Sequence, residues 1–333
     1  MKILFVHREP SLASARVRIL ELVPHLEMLG VRCETREEPE SALGLRRLLS
    51  SRHAADVVVL QKKLPSFADA VGWRACSVPI VFDYDDAVLF RQQPRGGSYR
   101  SATRERRFAR ACRLADAFVC GNEYLAGFCR PHGKPVLVAP SPVPLDVPRA
   151  RPGHFADPVR IGWIGGPGNL DALARLASPL RALARRRRIV LVVISEASLE
   201  LEGVATEHVP WELVGQEQVL ASLDVGVMPL EDSPWSRGKC AYKLLQYMAA
   251  GLPVVASPVG MNCELVDDGR NGLLAATPHD WETALERLLA DVELAGKLGR
   301  AGRETVAATF GYPAQAARWR DFAAGLSSSV RGG

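Results

Sequence analysis

Three basic residues lie close together in the second half of the chain. Arg237, Lys239 and Lys243 surround Gly238 and run into the first turn of a predicted helix. The start of a helix favours anions, because its first backbone N–H groups are unpaired and its dipole is positive there. Three cations at such a point would neutralise a pyrophosphate, so we predict a diphosphate site. For Lys243 alone, a solvated helix position remains an alternative.

Three acids occur within four residues at the end of a predicted strand, in the string DYDD. Asp83, Asp85 and Asp86 could orient a hydroxyl group or hold a cation, and a solvated strand end is the third option. We predict Asp85 and Asp86 as catalytic residues. The sequence D-Y-D keeps a metal site as an alternative, although we expect no metal. The first strand-to-helix loop should reach the same edge and supply acceptor-binding residues, with solvation of Arg18 as the alternative. These residues are His7, Arg8, Arg16 and Arg18.

A glycine-rich turn, GWIGGPGN, follows the first predicted strand of the second half. Its spacing does not fit the GxGxxG pattern of dinucleotide sites. A backbone nest for phosphate around Gly165 and Gly166 and a tight turn without ligand both remain open. Trp211 could stack on a nucleobase or pack inside the protein. We predict donor contacts at Gly165, Gly166 and Trp211.

Short apolar runs alternate with amphipathic stretches, a pattern typical of parallel βαβ units. The first half holds six such runs and the second half five. They are residues 2–7, 31–36, 56–61, 79–84, 116–121 and 135–140, then 159–165, 188–195, 206–211, 224–230 and 253–258. One helix is predicted over 14–29, closed by Gly30, and another starts at Thr277 as N-cap.

A proline-rich segment between Pro140 and Pro158 separates the two series and predicts a linker. We therefore expect an α/β protein with two Rossmann-like domains facing each other across a cleft. Residues 1–148 would bind the acceptor and residues 149–312 the donor. Residues 313–333 would form a helix that packs back on the N-terminal domain, followed by a disordered tail.

The overall composition is that of an ordinary globular protein, with 333 residues, 47% hydrophobic and 24% charged. Seven scattered cysteines without a CxxC pair predict neither disulfides nor zinc.

With no apolar run of bilayer length and no signal-like start, we expect a cytoplasmic protein. Arginine clumps at 46–47, 104–110 and 185–188 predict peripheral contact with an anionic membrane, or simply solvated helices; no nucleic-acid motif accompanies them.

The segment Pro234–Leu274 resembles the C-terminal signature of the retaining glycosyltransferases of family 4, which have the GT-B fold. The likeness rests on Gln246–Gly251, Pro253–Ala256 and the loop from Gly260 to Glu264. It implies metal-free transfer of a sugar from a nucleotide-sugar, with retention at the anomeric carbon, no cofactor, and donor contacts at Gln246 and Glu264.

The sequence departs from that signature at both of the family's acids. Gly238 stands at the first acid and Gln246 at the second, whose amide can still bind ribose hydroxyls. Selection of the donor sugar would then pass to residues such as Asp232 or Ser233. The usual Arg and Lys pair in the first loop is also replaced, by GWIGGPGN. A sugar-nucleotide epimerase and a catalytically silent sugar-nucleotide binding protein are the alternatives.

Overall fold

The structure is a computed structural model that describes residues 1–50, 55–74, 76–150, 154–213 and 215–331. The chain divides into two compact units. Unit 1 comprises Met1–Pro142, Ser233–Cys240 and the residues from Tyr312 onward, and unit 2 comprises Val143–Asp232 and Ala241–Gly311. Ser233–Cys240, inside the predicted C-terminal domain, thus groups with unit 1. The predicted disordered tail lies at the end of the chain, and the last two residues of the chain lie outside the described ranges.

The strands follow the predicted alternation closely. In chain order they are β1 (Lys2–His7), β2 (Arg32–Glu37), β3 (Val57–Gln61), β4 (Ile80–Tyr84), β5 (Phe90–Arg95), β6 (Ser98–Arg100), β7 (Ala117–Cys120), β8 (Val136–Val138), β9 (Val159–Ile164), β10 (Ile189–Ser195), β11 (Thr206–Pro210), β12 (Val225–Met228), β13 (Val254–Ala256) and β14 (Leu273–Leu274).

Several of the helices are short, and turns of π or 3₁₀ helix interrupt some of them. They are α1 (Ala13–Ala15), α2 (Val23–Met28), α3 (Ala42–Ser50), α4 (Phe67–Arg74), α5 (Ala102–Leu114), α6 (Glu123–Cys129), α7 (Leu170–Ala174), α8 (Ala177–Ala184), α9 (Gln216–Ala221), α10 (Pro234–Arg237), α11 (Tyr242–Ala249), α12 (Met261–Leu265), α13 (Pro278–Ala290), α14 (Val292–Thr309) and α15 (Tyr312–Arg331). A π-helical turn covers Arg16–Leu20, and 3₁₀ turns cover Arg130–His132 and Pro167–Asn169.

Unit 1 contains a parallel sheet of six described strands, the number predicted, in the order β2-β1-β3-β4-β7-β8. The chain reverses its direction of strand addition between β1 and β3. In doubly wound sheets, ligands bind outside the carboxyl ends of the strands at such a reversal. Helix α15 covers this sheet, with Trp319 of α15 packed edge-on against Phe5 of β1.

Unit 2 contains a second parallel sheet, whose described strands run β11-β10-β9-β12-β13-β14. Its reversal lies between β9 and β12. Strand β14 is absent from the predicted set, because two leucines are too short a run to stand out. The predicted loop at Gly260–Glu264 contains helix α12, and Thr277 caps α13 in a capping box with Asp280, which confirms its predicted start.

The predicted helix over 14–29 is wrong as one continuous element. The structure places α1, the π turn and α2 there in succession. Pro24 lies in the first turn of α2, where its missing N–H costs no hydrogen bond, so the helix restarts there. Gly30 closes α2 with φ of 79°, as predicted. The interruption matters because π turns often occur at functional sites, and this one holds Arg16 and Arg18.

Candidate functional site

The glycine turn of unit 2 begins where β9 ends, at the strand reversal. The Ile164 N–H donates a 2.9 Å hydrogen bond to the hydroxyl of Tyr247, which fixes α11 against β9. Gly165 follows, and exposed Gly166 leads into the 3₁₀ turn. Backbone N–H groups at this point have the position that phosphate sites use in doubly wound folds.

Lys243 in the first turn of α11 lies directly beside this turn. Its ammonium is 3.9 Å from the centroid of the Trp163 ring. A Cβ atom placed on Gly165 would lie only 2.2 Å from the Lys243 Nζ. Gly165 is therefore required for the close approach, and half-buried Lys243 lies against Trp163. A cation held on an aromatic face next to backbone donors makes a compact site for an anion.

Other predicted donor contacts follow neighbouring strands of the same sheet. Gln246 lies on α11, and its amide donates to the Gln216 side chain at 3.4 Å. Trp211 comes directly after β11 and is half-buried, while exposed Glu264 lies on α12 after β13. Because carboxyl ends of parallel strands share one edge, these residues lie along the edge that carries Gly165. Their contact with a ligand stays a prediction.

In unit 1, the first of the three acids, Asp83, is buried inside the protein. The side chain is 0% exposed and pairs with Arg18, which is 2% exposed, at 2.5 Å. Arg18 also donates to the Ala139 carbonyl at 2.8 Å. The solvated alternative for Arg18 is wrong, and so is a solvated strand end at Asp83. A fully buried ion pair is tolerated only because each charge neutralises the other and is hydrogen-bonded.

The remaining two acids are held by a lysine that the sequence did not single out. Lys62 Nζ lies 2.6 Å from Asp85 Oδ1 and 2.5 Å from Asp86 Oδ2. Burial alone would raise the pKa of Asp85, but the charges of Lys62 and Arg18 outweigh it and hold that pKa below its usual value. Burial opposes the charged form of Lys62 as well, yet the two carboxylates raise its pKa above the ordinary range.

The segment Ser233–Cys240 packs against this acid cluster. The Asn122 amide donates to the carbonyls of Arg237 and Lys239 at 3.2 and 3.0 Å. A Cβ on Gly238 would lie 2.5 Å from that of Ala87, so the chain needs glycine for this approach. Burial lowers the pKa of Lys239, against the opposing charge of Asp86.

The boundary between the two units runs through the predicted cation trio, whose contact with a diphosphate stays a prediction. Arg237 and Lys239 group with unit 1, and Lys243 with unit 2. Gly238, where the family's first acid would stand, is buried against Ala87 and offers no room for a side chain.

The predicted acceptor residues near β1 differ in their surroundings. His7 is buried at the strand end, and its Nδ1 lies 2.5 Å from the Arg8 carbonyl oxygen. Arg8 is exposed, whereas Arg16 pairs with Glu21 at 3.3 Å. Of the four residues predicted there, Arg18 pairs with Asp83 of the acid cluster. Binding of an acceptor by the four residues stays a prediction.

Two further predictions concern metals and membranes. Within the described ranges, no group of three His, Cys, Asp or Glu side chains could hold a metal ion. No helix among those residues is long and apolar enough to cross a bilayer. The arginines of α5 at 104, 106, 107 and 113 are exposed, so peripheral contact stays a prediction, which sedimentation with anionic against neutral vesicles would test.

Two parallel α/β sheets, each with its own strand reversal, define the GT-B fold class. Residues 158–291 match the family model described as glycosyl transferases group 1. This match covers less than half of the chain, and it confirms the resemblance found in the sequence.

Three individual proteins are similar to the chain, one in sequence and two in fold. The chain is 41% identical to D-inositol 3-phosphate glycosyltransferase of Paenarthrobacter aurescens over 98 residues, which span 29% of this chain and 22% of that relative. Sucrose-phosphate synthase from Thermosynechococcus elongatus superposes with a TM-score of 0.74 at 15% identity, over 99% of this chain and 100% of that one. HepE from Anabaena, solved with UDP and glucose, gives 0.74 at 15% identity, over 98% and 100%.

Sequence reasoning missed Lys62, Trp163 and Tyr247. Lys62 carried a usable signal, since it directly follows a predicted strand and so reaches the same sheet edge as Asp85. Trp163 and Tyr247 carried none, because each looks like an ordinary core aromatic in its element.

Proposed function

We propose that the protein is a metal-independent glycosyltransferase that moves a sugar from a nucleotide-sugar donor to an acceptor hydroxyl, with retention at the anomeric carbon. Unit 2 binds the donor and unit 1 the acceptor. The observation that carries the proposal is the Lys243 ammonium, which lies against Gly165 at the strand reversal of unit 2. That is where a doubly wound sheet holds a phosphate group.

The donor side of the proposal rests on charge and position. Lys243 and the backbone N–H groups after Gly165 meet the two phosphates, and Trp211 stacks on the base. HepE from Anabaena, whose fold is similar, was solved with UDP-glucose. A UDP-hexose is therefore the first donor to test.

The acceptor side rests on the acid cluster of unit 1. Asp85 is ionised at neutral pH because Lys62 and Arg18 lower its pKa. An ionised carboxylate accepts a hydrogen bond from a hydroxyl group and turns the oxygen lone pair towards its target. Asp86, half-exposed beside it, is the more accessible of the pair.

The reaction breaks the bond between the anomeric carbon and the diphosphate oxygen and forms the bond to the acceptor oxygen on the same face. The acceptor proton passes to the departing phosphate oxygen. As the first bond breaks, negative charge gathers on the diphosphate, and Lys243 stabilises it. No protein nucleophile and no metal ion takes part in this scheme.

Replacing Lys243 by Ala tests the donor site. The affinity for UDP should fall about tenfold or more, equivalent to about 1.4 kcal/mol or above, while the affinity for uridine stays within about twofold. Lys297→Ala, at an exposed helix position of the same unit, is the matched control. Calorimetric titration with both ligands measures the effect, and equal losses for UDP and uridine would refute the assignment.

A transfer assay separates this function from the two alternatives. UDP should be released from UDP-glucose only when an acceptor is present, and a chelator should not slow the release. D-inositol 3-phosphate, named for the Paenarthrobacter relative, is the first acceptor to test. An epimerase would interconvert the sugar without releasing UDP, and a silent binding protein would do neither.

A further inference from the structure

Lys62 combines three properties that an ordinary surface lysine lacks. It follows β3 at the strand reversal of unit 1, its side chain is 12% exposed, and its ammonium touches two carboxylates. Its backbone φ is 52°, in the left-handed region that residues with a Cβ atom rarely adopt. A residue kept in such a conformation suggests that the surrounding contacts, and not local preference, determine its placement.

The backbone of Lys62 explains that conformation. Its N–H donates to the Asp83 carbonyl at 2.7 Å, which continues the pairing of β3 with β4 past the strand end. The preceding residue, Gln61, donates from its amide to the Ser14 carbonyl at 2.9 Å. These contacts fix the chain as it reaches Lys62, whose ammonium contacts Asp85 and Asp86.

We propose that Lys62 is the positioning residue of the acceptor site: its ammonium bridges Asp85 and Asp86 and holds both carboxylates in the geometry that orients the acceptor hydroxyl. This inference rests on the proposed glycosyl transfer. Lys62 itself need not touch either substrate. Without it, two adjacent carboxylates would repel each other, and they would separate or one would take up a proton.

Ionisable groups from several elements surround Asp85 and its neighbour Asp86. Arg18 approaches from the π turn, Asp83 and Asp86 lie on either side in the chain, and Lys239 and Cys240 belong to the segment after α10. Lys62 contributes the largest opposing charge to Asp85 after burial is considered. Removing it should therefore raise the pKa of Asp85, because a neighbouring cation is lost.

Lys62→Met keeps most of the length of the side chain and removes its charge. The acceptor-dependent transfer rate should fall at least about tenfold, whereas donor affinity stays within about twofold. The acid limb of the pH–rate profile should move to higher pH with the pKa of Asp85. Lys62→Arg, which keeps the charge, should recover part of the rate. Lys63→Met is the matched control, because Lys63 pairs with Glu38 and Asp69 outside the cluster.

Two measurements keep this inference separate from the proposed function. If the wild-type chain transfers no sugar, the function fails, but carbon NMR titration of the Asp85 carboxyl still decides whether Lys62 sets its charge. If Lys62→Met does not fold, Lys62→Gln, whose amide can still donate to one carboxylate, replaces it. An unchanged Asp85 titration, or a Lys62 variant as active as Lys63→Met, would overturn the inference.

Discussion

The charged side chains at the sheet edges of the two units have different surroundings. In unit 1, Asp83 pairs with Arg18, and Asp85 and Asp86 pair with Lys62, so acids and bases hold each other in place. In unit 2, Lys243 lies over the uncharged ring of Trp163, beside a glycine turn. Mutual pairing fixes the carboxylates in place, while a cation beside backbone donors favours an incoming anion.

In the proposed function, the same fold carries two different kinds of site. Parallel strands bring their carboxyl ends to one edge in both units, and the side chains in the loop after each strand determine the chemistry of that edge. Variants that affect one edge should therefore leave the other edge unchanged.

The largest effect should come from the buried pair of unit 1. Arg18→Met leaves the buried Asp83 carboxyl without its cation, which should lower the free energy of unfolding by about 3–5 kcal/mol. Arg160→Met in unit 2 is the contrast, since Arg160 and Glu207 are 24% and 42% exposed, and its loss should cost at most about 1 kcal/mol. Urea unfolding at pH 7 measures both.

The stability lost in Arg160→Met should also depend on pH. The hydrogen bond from Arg160 lowers the pKa of Glu207. A carboxyl whose pKa is lowered by folding stabilises the protein above its unfolded pKa, about 4.3, and this contribution is lost as the pH falls through the folded value. The difference between wild type and Arg160→Met should therefore shrink on acidification. A larger loss for Arg160→Met than for Arg18→Met would contradict the distinction between buried and exposed pairs.

A smaller effect is expected at the glycine turn of unit 2, where two adjacent glycines provide a matched pair. A methyl group on Gly165 would collide with Lys243 and with Trp163, at 2.2 and 2.8 Å, whereas Gly166 has nothing within 4 Å. Gly166 also has an ordinary φ of −70°. Gly165→Ala should weaken nucleoside diphosphate binding about tenfold, or about 1.4 kcal/mol.

Gly166→Ala should bind as the wild type does, and calorimetry with the same ligand compares the two. If both variants kept full affinity, the position of Lys243 beside Gly165 would not matter for the anion.

Much of the fold could be predicted from local pattern. Buried parallel strands are continuous apolar runs, so both sheets were recognisable, and Thr277 with Pro278 marked a helix start. The hairpin of β5 and β6 was missed, because Phe90–Arg95 is mostly polar and lacks alternation. Its turn residues, Gly96 and Gly97, both have positive φ and were the available signal.

The candidate site was less accessible to sequence reasoning. The acids after β4 and the cation on α11 were found, because each follows a recognisable element. The role of Lys62 depends on pairing between two strands, and the division of Arg237 and Lys239 from Lys243 depends on which unit a short segment packs against. Neither is encoded in a local pattern of residue types.

The comparison of the two edges is tested most directly by Asp85→Asn, assayed for donor affinity and transfer rate in the same preparation. The amide keeps the shape of the side chain and removes its charge. We predict that donor affinity stays within about twofold of wild type while the transfer rate falls about 10²- to 10⁴-fold, the range for a positioned acid or base. An unchanged transfer rate, or a fall in donor affinity that matches the fall in rate, would contradict the assignment of acceptor chemistry to unit 1.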